Sequence, residues 1–354
     1  MKVFEVPSAG APAQEADHPT PELTGADVLV RVTNSGVCHS DVHCAEGYFD
    51  MGDAGKAPVE SLGMAFPLVL GHEIVVEVIA AGPDASVQPG AEKYIVFPWI
   101  GCGECAACAE DRENSCTGAR RNLSLQLNGG FSREVYVPHE RYLIPVGDLD
   151  PSWAATLACS GVTGYSAVTK ALTPEADRPI AVIGTGGVGL SAVALLKARG
   201  HKNIVAADVS EDSLKNAEAA GATATVLTTG EDPSGDIVKA GGGKLASAID
   251  FVNNGVTSST ALGALGTGGK LVSVGLFGGQ LQFPTTLVAL QQLKIEGNFV
   301  GSLPELKELV ELAKSTDLPQ LPIVEKPLEA DEVNAALKAI EERTVSGRTV
   351  LVAG

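Results

Sequence analysis

"IAVIGTGGVGLSAVALLKARG", residues 180–200, runs from a short apolar stretch through a cluster of glycines into a segment of helical spacing. Gly184, Gly186 and Gly189 stand in a G-x-G-x-x-G arrangement, with Gly187 and Val188 between them. The pattern is weak alone, because glycines recur in any turn. It gains meaning here because it follows a strand and opens a helix. The first glycine permits the tight turn, the second lets backbone approach a pyrophosphate, and the third allows close helix–strand packing. The helix N-terminus then offers unpaired N–H groups to phosphates. Asp208 ends the next apolar run, "NIVAADVS", near the usual distance for an acid that binds a ribose. A cap at a βα turn is the plainer reading. With glycines, strand, helix and acid in place, the stretch reads as a dinucleotide-binding unit.

Outward from it the rhythm continues. "SAIDFV" and "KLVSVG" are further short apolar runs, and such βαβ alternation implies a parallel sheet covered on both faces. Upstream, to about residue 155, the chain reads as β-rich. "DVLVRVTNSG" alternates Val28, Val30 and Val32 with Arg31 and Thr33, the period of a half-buried strand. "IVVEVIAAG", "KYIVFP" and "SREVYVP" are similar. After about residue 300 come two amphipathic helices, one carrying Leu306, Leu309, Val310 and Ala313, the other Val333, Leu337 and Ile340. "TVLVAG" is a last strand.

The 354 residues suffice for two domains, each with its own core. The hydrophobic share of 45% is that of a soluble globular protein, with no apolar run long enough to span a bilayer. "MKVFEVPSAG" has no signal-peptide core, so a cytoplasmic location is expected. A net charge of -18 argues against nucleic acid or anionic membrane as partners.

Seven cysteines in a chain of this kind point to metal before disulfides. Cys102, Cys105, Cys108 and Cys116 form a C-x2-C-x2-C-x7-C series, "CGECAACAEDRENSC". One loop with such spacing can supply the four ligands of a closed structural zinc site. Three other segments matter together: "GVCHSDVH" (36–43), "LGHEIVVEV" (70–78) and "LACSGVTGYS" (157–166). Cys38, His72 and Cys159 would give two thiolates and one imidazole, the ligand set of a catalytic zinc with an open fourth position.

In this order around a dinucleotide unit, these motifs resemble the zinc-dependent medium-chain dehydrogenase/reductase family, the zinc alcohol dehydrogenases, over essentially the whole chain. The resemblance implies an α/β chain. Its GroES-like β-rich catalytic domain would span residues 1–158 (zinc lobe 98–118), its Rossmann NAD-binding domain 159–299, and its return to the catalytic domain 300–354. It implies NAD, two zinc ions, an alcohol, aldehyde or ketone substrate, and a homotetramer, with a dimer next. Asp41 and Glu73 match acids that orient the ligands. Ser40 matches the hydroxyl that takes the alcohol proton, and His43 the imidazole that passes it to solvent. Thr163 matches a residue packing on the nicotinamide. Arg348 looks like an arginine meeting the cofactor phosphates, or else a surface residue before the last strand. Trp99 in "FPWIGC" resembles a substrate-pocket wall, an ordinary core tryptophan being the alternative.

Asp208, with Glu211 and Asp212 nearby and no arginine in the segment, is expected to favour NAD over NADP. Three positions depart from the family pattern. Val76 replaces a usual glycine, an aspartate is missing after Gly90, and Cys44 is an extra thiol. A polyol dehydrogenase is the nearest alternative enzyme, but that group usually carries glutamate where this chain has Cys159. A non-catalytic NAD- or zinc-binding protein is the alternative of another class.

Overall fold

The computed structural model describes residues 1–354 except Asp317, Leu321, Arg343 and Ser346. Its parallel sheet has six strands in the order Ala224–Leu227, Ile204–Asp208, Ile180–Ile183, Leu245–Asp250, Leu265–Ser273, Lys294–Gly297. Every neighbouring pair is parallel. The central strand "IAVI" is wholly buried, as a strand covered on both faces must be. Strand order reverses between Ile180–Ile183 and Leu245–Asp250, and the glycine turn lies at the carboxyl end of that seam. Open α/β sheets bind their ligands in this crevice.

The β-rich part forms a mainly antiparallel sheet around Val28–Gly36, which pairs with Glu73–Ala81, Glu134–Val137 and the last strand, Arg348–Val352. Val28, Val30 and Val32 are buried and Arg31 is exposed, so the alternation sets the facing as expected. Glu73–Ala81 continues to Lys93–Val96 and then to Leu143–Pro145. Arg348–Val352 also pairs in parallel with Ile323–Pro327, so the end of the chain completes the sheet begun at its start.

Between the two sheets runs one helical rod: Pro151–Thr156, then a wider π-type turn at Leu157–Gly161, then Val162–Ala171. Such turns insert an extra residue and occur often at functional sites. This one carries Cys159. The helices after residue 300 are Leu303–Ser315 and Ala330–Glu341, and Leu306, Leu309, Val310 and Val333 are fully or nearly fully buried. Leu337 and Ile340 are only partly buried. Val76 is buried, opposite Val32 and Tyr94. No helix among the described residues is long and apolar enough to cross a membrane.

Candidate active site

Cys38, His72 and Cys159 come from three distant stretches and meet in one buried cluster. Their ligand atoms lie within 4.8 Å of one another. The fold explains each placement. Cys38 caps the short helix His39–Glu46, where the Asp41 carboxylate takes its backbone N–H at 2.9 Å. His72 immediately precedes the strand Glu73–Ala81, and Cys159 projects from the π-type turn.

The donor set fits zinc. A Zn–S bond of about 2.3 Å sets two sulfurs of a tetrahedron about 3.8 Å apart, and Cys38 Sγ lies 4.0 Å from Cys159 Sγ. The hydrogen bond with Cys159, then His72 and the Arg348 charge, holds the Cys38 thiol well below its usual range despite burial. That same bond, with burial, drives Cys159 well above its own. The protein groups alone thus favour one thiolate. A divalent cation is what allows two thiolates to share so small and dry a space.

The surrounding acids orient the ligands. Asp41 Oδ1 lies 3.2 Å from His72 Nδ1 and accepts the Gly71 N–H at 3.2 Å. Burial alone would lower the His72 imidazole, but the Asp41 charge and hydrogen bond and Cys38 raise it well above its ordinary value. The hydroxyl of Ser124 is 3.3 Å from the same Nδ1, a partner that no sequence motif signals. Glu73 is fully buried, with Oε1 accepting Ser160 N–H at 3.2 Å and pairing with Arg348. Burial pushes the Glu73 carboxyl up, and Arg348 opposes that shift.

Arg348 is therefore no surface residue. It is buried against Glu73 and also flanks the glycine turn, where a Cβ on Gly187 would sit 3.0 Å from Arg348 Cδ. One arginine thus spans from Glu73 to the glycine turn. The turn itself fits a dinucleotide. Gly184 has φ 81°, and a Cβ on Gly189 would collide with the Gly184 carbonyl oxygen. A Cβ on Gly186 would meet nothing within 4 Å. Two glycines serve the fold, and the third leaves room for a ligand. Asp208 Oδ2 accepts Thr185 N–H at 2.7 Å, so its carboxylate lies beside this loop. Lys215 is tied to Asp212 at 2.8 Å.

Ser40 Oγ is 3.5 Å from His72 Nε2, so the hydroxyl stands at the metal cluster. His43 lies further out on the same helix, its ring 5.4 Å from Phe49 and 5.0 Å from His39. His39 also faces Phe277 at 4.9 Å, linking the two domains at a residue sequence reasoning left unassigned. Thr163 is buried on the turn after Cys159, and its hydroxyl has no hydrogen-bond partner among the described residues. Trp99 is buried, its ring 5.2 Å from His72 and its indole N–H donating to Ala158 O at 3.1 Å. Cys44 packs on Met64, 3.9 Å between sulfurs.

The four cysteines of the lobe also gather. Cys105 is 3.5 Å from Cys108 and 3.8 Å from Cys116, and Cys102 is 4.0 Å from Cys108, again the sulfur edges of a tetrahedron. Backbone N–H groups, with the neighbouring thiol, draw Cys105 down to about 5, while burial pushes Cys108 up to about 12.

Comparison with known proteins agrees with this geometry. Residues 24–148 match the alcohol dehydrogenase GroES-like domain, and residues 187–315 the zinc-binding dehydrogenase domain. An NAD-dependent alcohol dehydrogenase of Sulfurisphaera tokodaii is 34% identical over 99% of this chain and 100% of its own. An alcohol dehydrogenase of Geobacillus stearothermophilus is 33% identical over 94% of this chain and 93% of its own. The crystal structure of the alcohol dehydrogenase from Aeropyrum pernix superposes with a TM-score of 0.88 at 32% identity, covering 99% of this chain and 100% of that one.

Proposed function

The chain belongs to the zinc-dependent medium-chain dehydrogenase/reductase family, and we propose that its buried cluster carries out reversible hydride transfer between a primary or secondary alcohol and NAD. It is an NAD-dependent zinc alcohol dehydrogenase, like its full-length relatives. The observation that carries the residue assignment is the convergence of Cys38, His72 and Cys159, with the Ser40 hydroxyl 3.5 Å from His72 Nε2. When bound, zinc makes an alcohol hydroxyl acidic and the nicotinamide accepts hydride.

The remaining work falls to the chain. Cys38, His72 and Cys159 hold the metal, Asp41 fixes the His72 ring through Nδ1, and Glu73 fixes Ser160 beside Cys159. Ser40 accepts the alcohol proton at Oγ, and His43 delivers it to solvent. Gly184, Gly186 and Gly189 shape the cradle, Arg348 supplies a cation beside it, Asp208 meets the ribose, and Thr163 packs on the nicotinamide. Trp99 closes the wall behind His72.

A second zinc in the lobe, held by Cys102, Cys105, Cys108 and Cys116, is structural, because four thiolates leave no open position. The protein is a homo-oligomer, a tetramer first and a dimer next. Lys294–Gly297 supports this reading, since it is an outer strand of the parallel sheet with Leu290 and Ile295 exposed beside it. Seven free cysteines and an NAD cofactor suit a reducing cytoplasm. Incubating the zinc-loaded protein with NAD and a panel of alcohols should produce NADH. No reduction with any primary or secondary alcohol would contradict the assignment.

A further inference from the structure

Ser124 carries a small polar side chain into the dry interior, 1% exposed, on the loop between the four-cysteine lobe and the strand Glu134–Val137. Its backbone has φ 66°, the left-handed region that residues with a side chain seldom adopt. Glycine would sit there without the steric cost. Such a conformation persists where neighbours enforce it, and it clusters at sites that use it. The hydroxyl here meets the metal cluster: Oγ lies 3.3 Å from His72 Nδ1, its one hydrogen-bond partner among the described residues.

The neighbours fix this placement. Asn122 O accepts the N–H groups of Leu125, Gln126 and Leu127 at 3.4, 3.0 and 3.1 Å, which closes a tight turn around Ser124. Leu123 is fully buried, and its N–H donates to Pro98 O at 3.0 Å. Behind the turn, Gly129 has no room for a side chain. A Cβ there would collide with Gly71 O and Leu70 O and stand 2.7 Å from Ser124 Cβ. The turn thus packs, through Gly129, on the Leu70–Gly71 backbone that leads into His72.

On the His72 ring, Nδ1 faces two oxygens, Asp41 Oδ1 at 3.2 Å and Ser124 Oγ at 3.3 Å, while Nε2 lies 3.5 Å from Ser40 Oγ. A neutral imidazole has one N–H. With that proton on Nδ1, shared between carboxylate and hydroxyl, Nε2 keeps its lone pair for a metal. One acceptor lets a ring pivot about a single contact. Two, from different stretches of chain, fix its plane.

We propose that Ser124 is a positioning residue for the cluster's metal: its hydroxyl holds the ring and tautomer of His72 and so slows loss of zinc from Cys38, His72 and Cys159. This rests on the zinc alcohol dehydrogenase reading above. Ser124 acts only through His72. Hydrogen-bond partners of a ligating histidine typically change metal affinity by about 10–100-fold.

The test follows zinc release from the zinc-loaded, full-length protein into excess 4-(2-pyridylazo)resorcinol. Two release phases are expected, and the phase missing from Cys159→Ala belongs to the buried cluster. In Ser124→Ala and Ser124→Gly that phase should be about tenfold faster, with the lobe phase unchanged. The two variants separate hydroxyl from backbone, since both lose Oγ but only glycine relieves φ 66°. Wild-type release by both overturns the proposal. So does acceleration in one variant alone, which would make the effect one of backbone or packing. Equal acceleration of both phases overturns it too, because general loosening would then be the cause. Release is read without turnover, so Ser124-dependent zinc retention in a protein that oxidises no alcohol would overturn the activity and leave the positioning role standing.

Discussion

Ser40 touches the ligand sphere at 3.5 Å from His72 Nε2, while His43 sits one turn along the helix at its outer face. Ser40→Ala should therefore cut alcohol oxidation by about 10²–10⁴-fold, the usual contribution of a proton-transferring group. His43→Gln should slow oxidation chiefly below neutral pH, with added buffer base restoring part of the rate. A pH–rate profile identical to that of the unmodified enzyme would remove His43 from the path. Cofactor choice is also a residue-scale matter. Asp208 lies beside the glycine loop, and the nearby cation Lys215 is occupied by Asp212. A 2′-phosphate would lose ribose hydrogen bonds and face like charge, so NAD should be preferred by about a thousandfold, or about 4 kcal/mol. Asp208→Gly with Val209→Arg should narrow or reverse the preference, and equal kcat/KM for both cofactors in the unmodified enzyme would refute the placement. His201 sets a pH response away from the site. Its Nε2–H donates to Arg178 O at 3.0 Å, and burial lowers its pKa. The unfolded chain therefore takes up the proton first, so this contribution is full above about 6.5 and is lost as pH falls below it. Melting temperature should drop more between pH 7 and 5 in the wild type than in His201→Gln, and parallel drops would contradict this.

At the scale of elements, the glycine turn separates fold from ligand. Gly189→Ala would drive a Cβ into Gly184 O, whereas Gly186→Ala enters open space. Gly186→Ala should thus fold with nearly unchanged melting temperature yet bind NAD at least about tenfold more weakly, a Cβ standing where pyrophosphate approaches. Gly189→Ala should lower the melting temperature. Calorimetry and NAD titration on the two variants check this, and unimpaired NAD binding by Gly186→Ala would count against the cradle. The elements legible in the sequence were those with a strong period or a chemical signature. Val28–Gly36 alternates cleanly, and Ile180–Ile183 with its glycines carries its meaning locally. Lys294–Gly297, "KIEG", was not legible, because an edge strand half open to solvent needs no apolar run. The π-type turn at Leu157–Gly161 was equally hidden, since its register is set by packing between two sheets. Among site residues, the ligands were readable as motifs. Ser124 was not, because what gives it a role is proximity across 52 residues of chain, to His72.

Among the described residues, two clusters able to hold a metal ion are set in different mechanical positions. Cys38, His72 and Cys159 join three distant stretches and are backed by Asp41, Glu73 and Arg348, which reaches the glycine turn from the last strand. The lobe cluster closes on fifteen consecutive residues, 102–116. Loss of the first should stop chemistry while the fold persists, and loss of the second should chiefly cost stability or assembly. The central claim is that these are one open catalytic site and one closed structural site. It is tested most directly by measuring zinc content, circular dichroism and NAD-linked alcohol oxidation together in the wild type, Cys159→Ala and Cys105→Ala. The account predicts two zinc ions per wild-type chain, with Cys159→Ala folded, inactive and holding one, and Cys105→Ala holding one with lowered melting temperature. A single zinc in fully active wild-type protein, or undiminished turnover by Cys159→Ala, would contradict it.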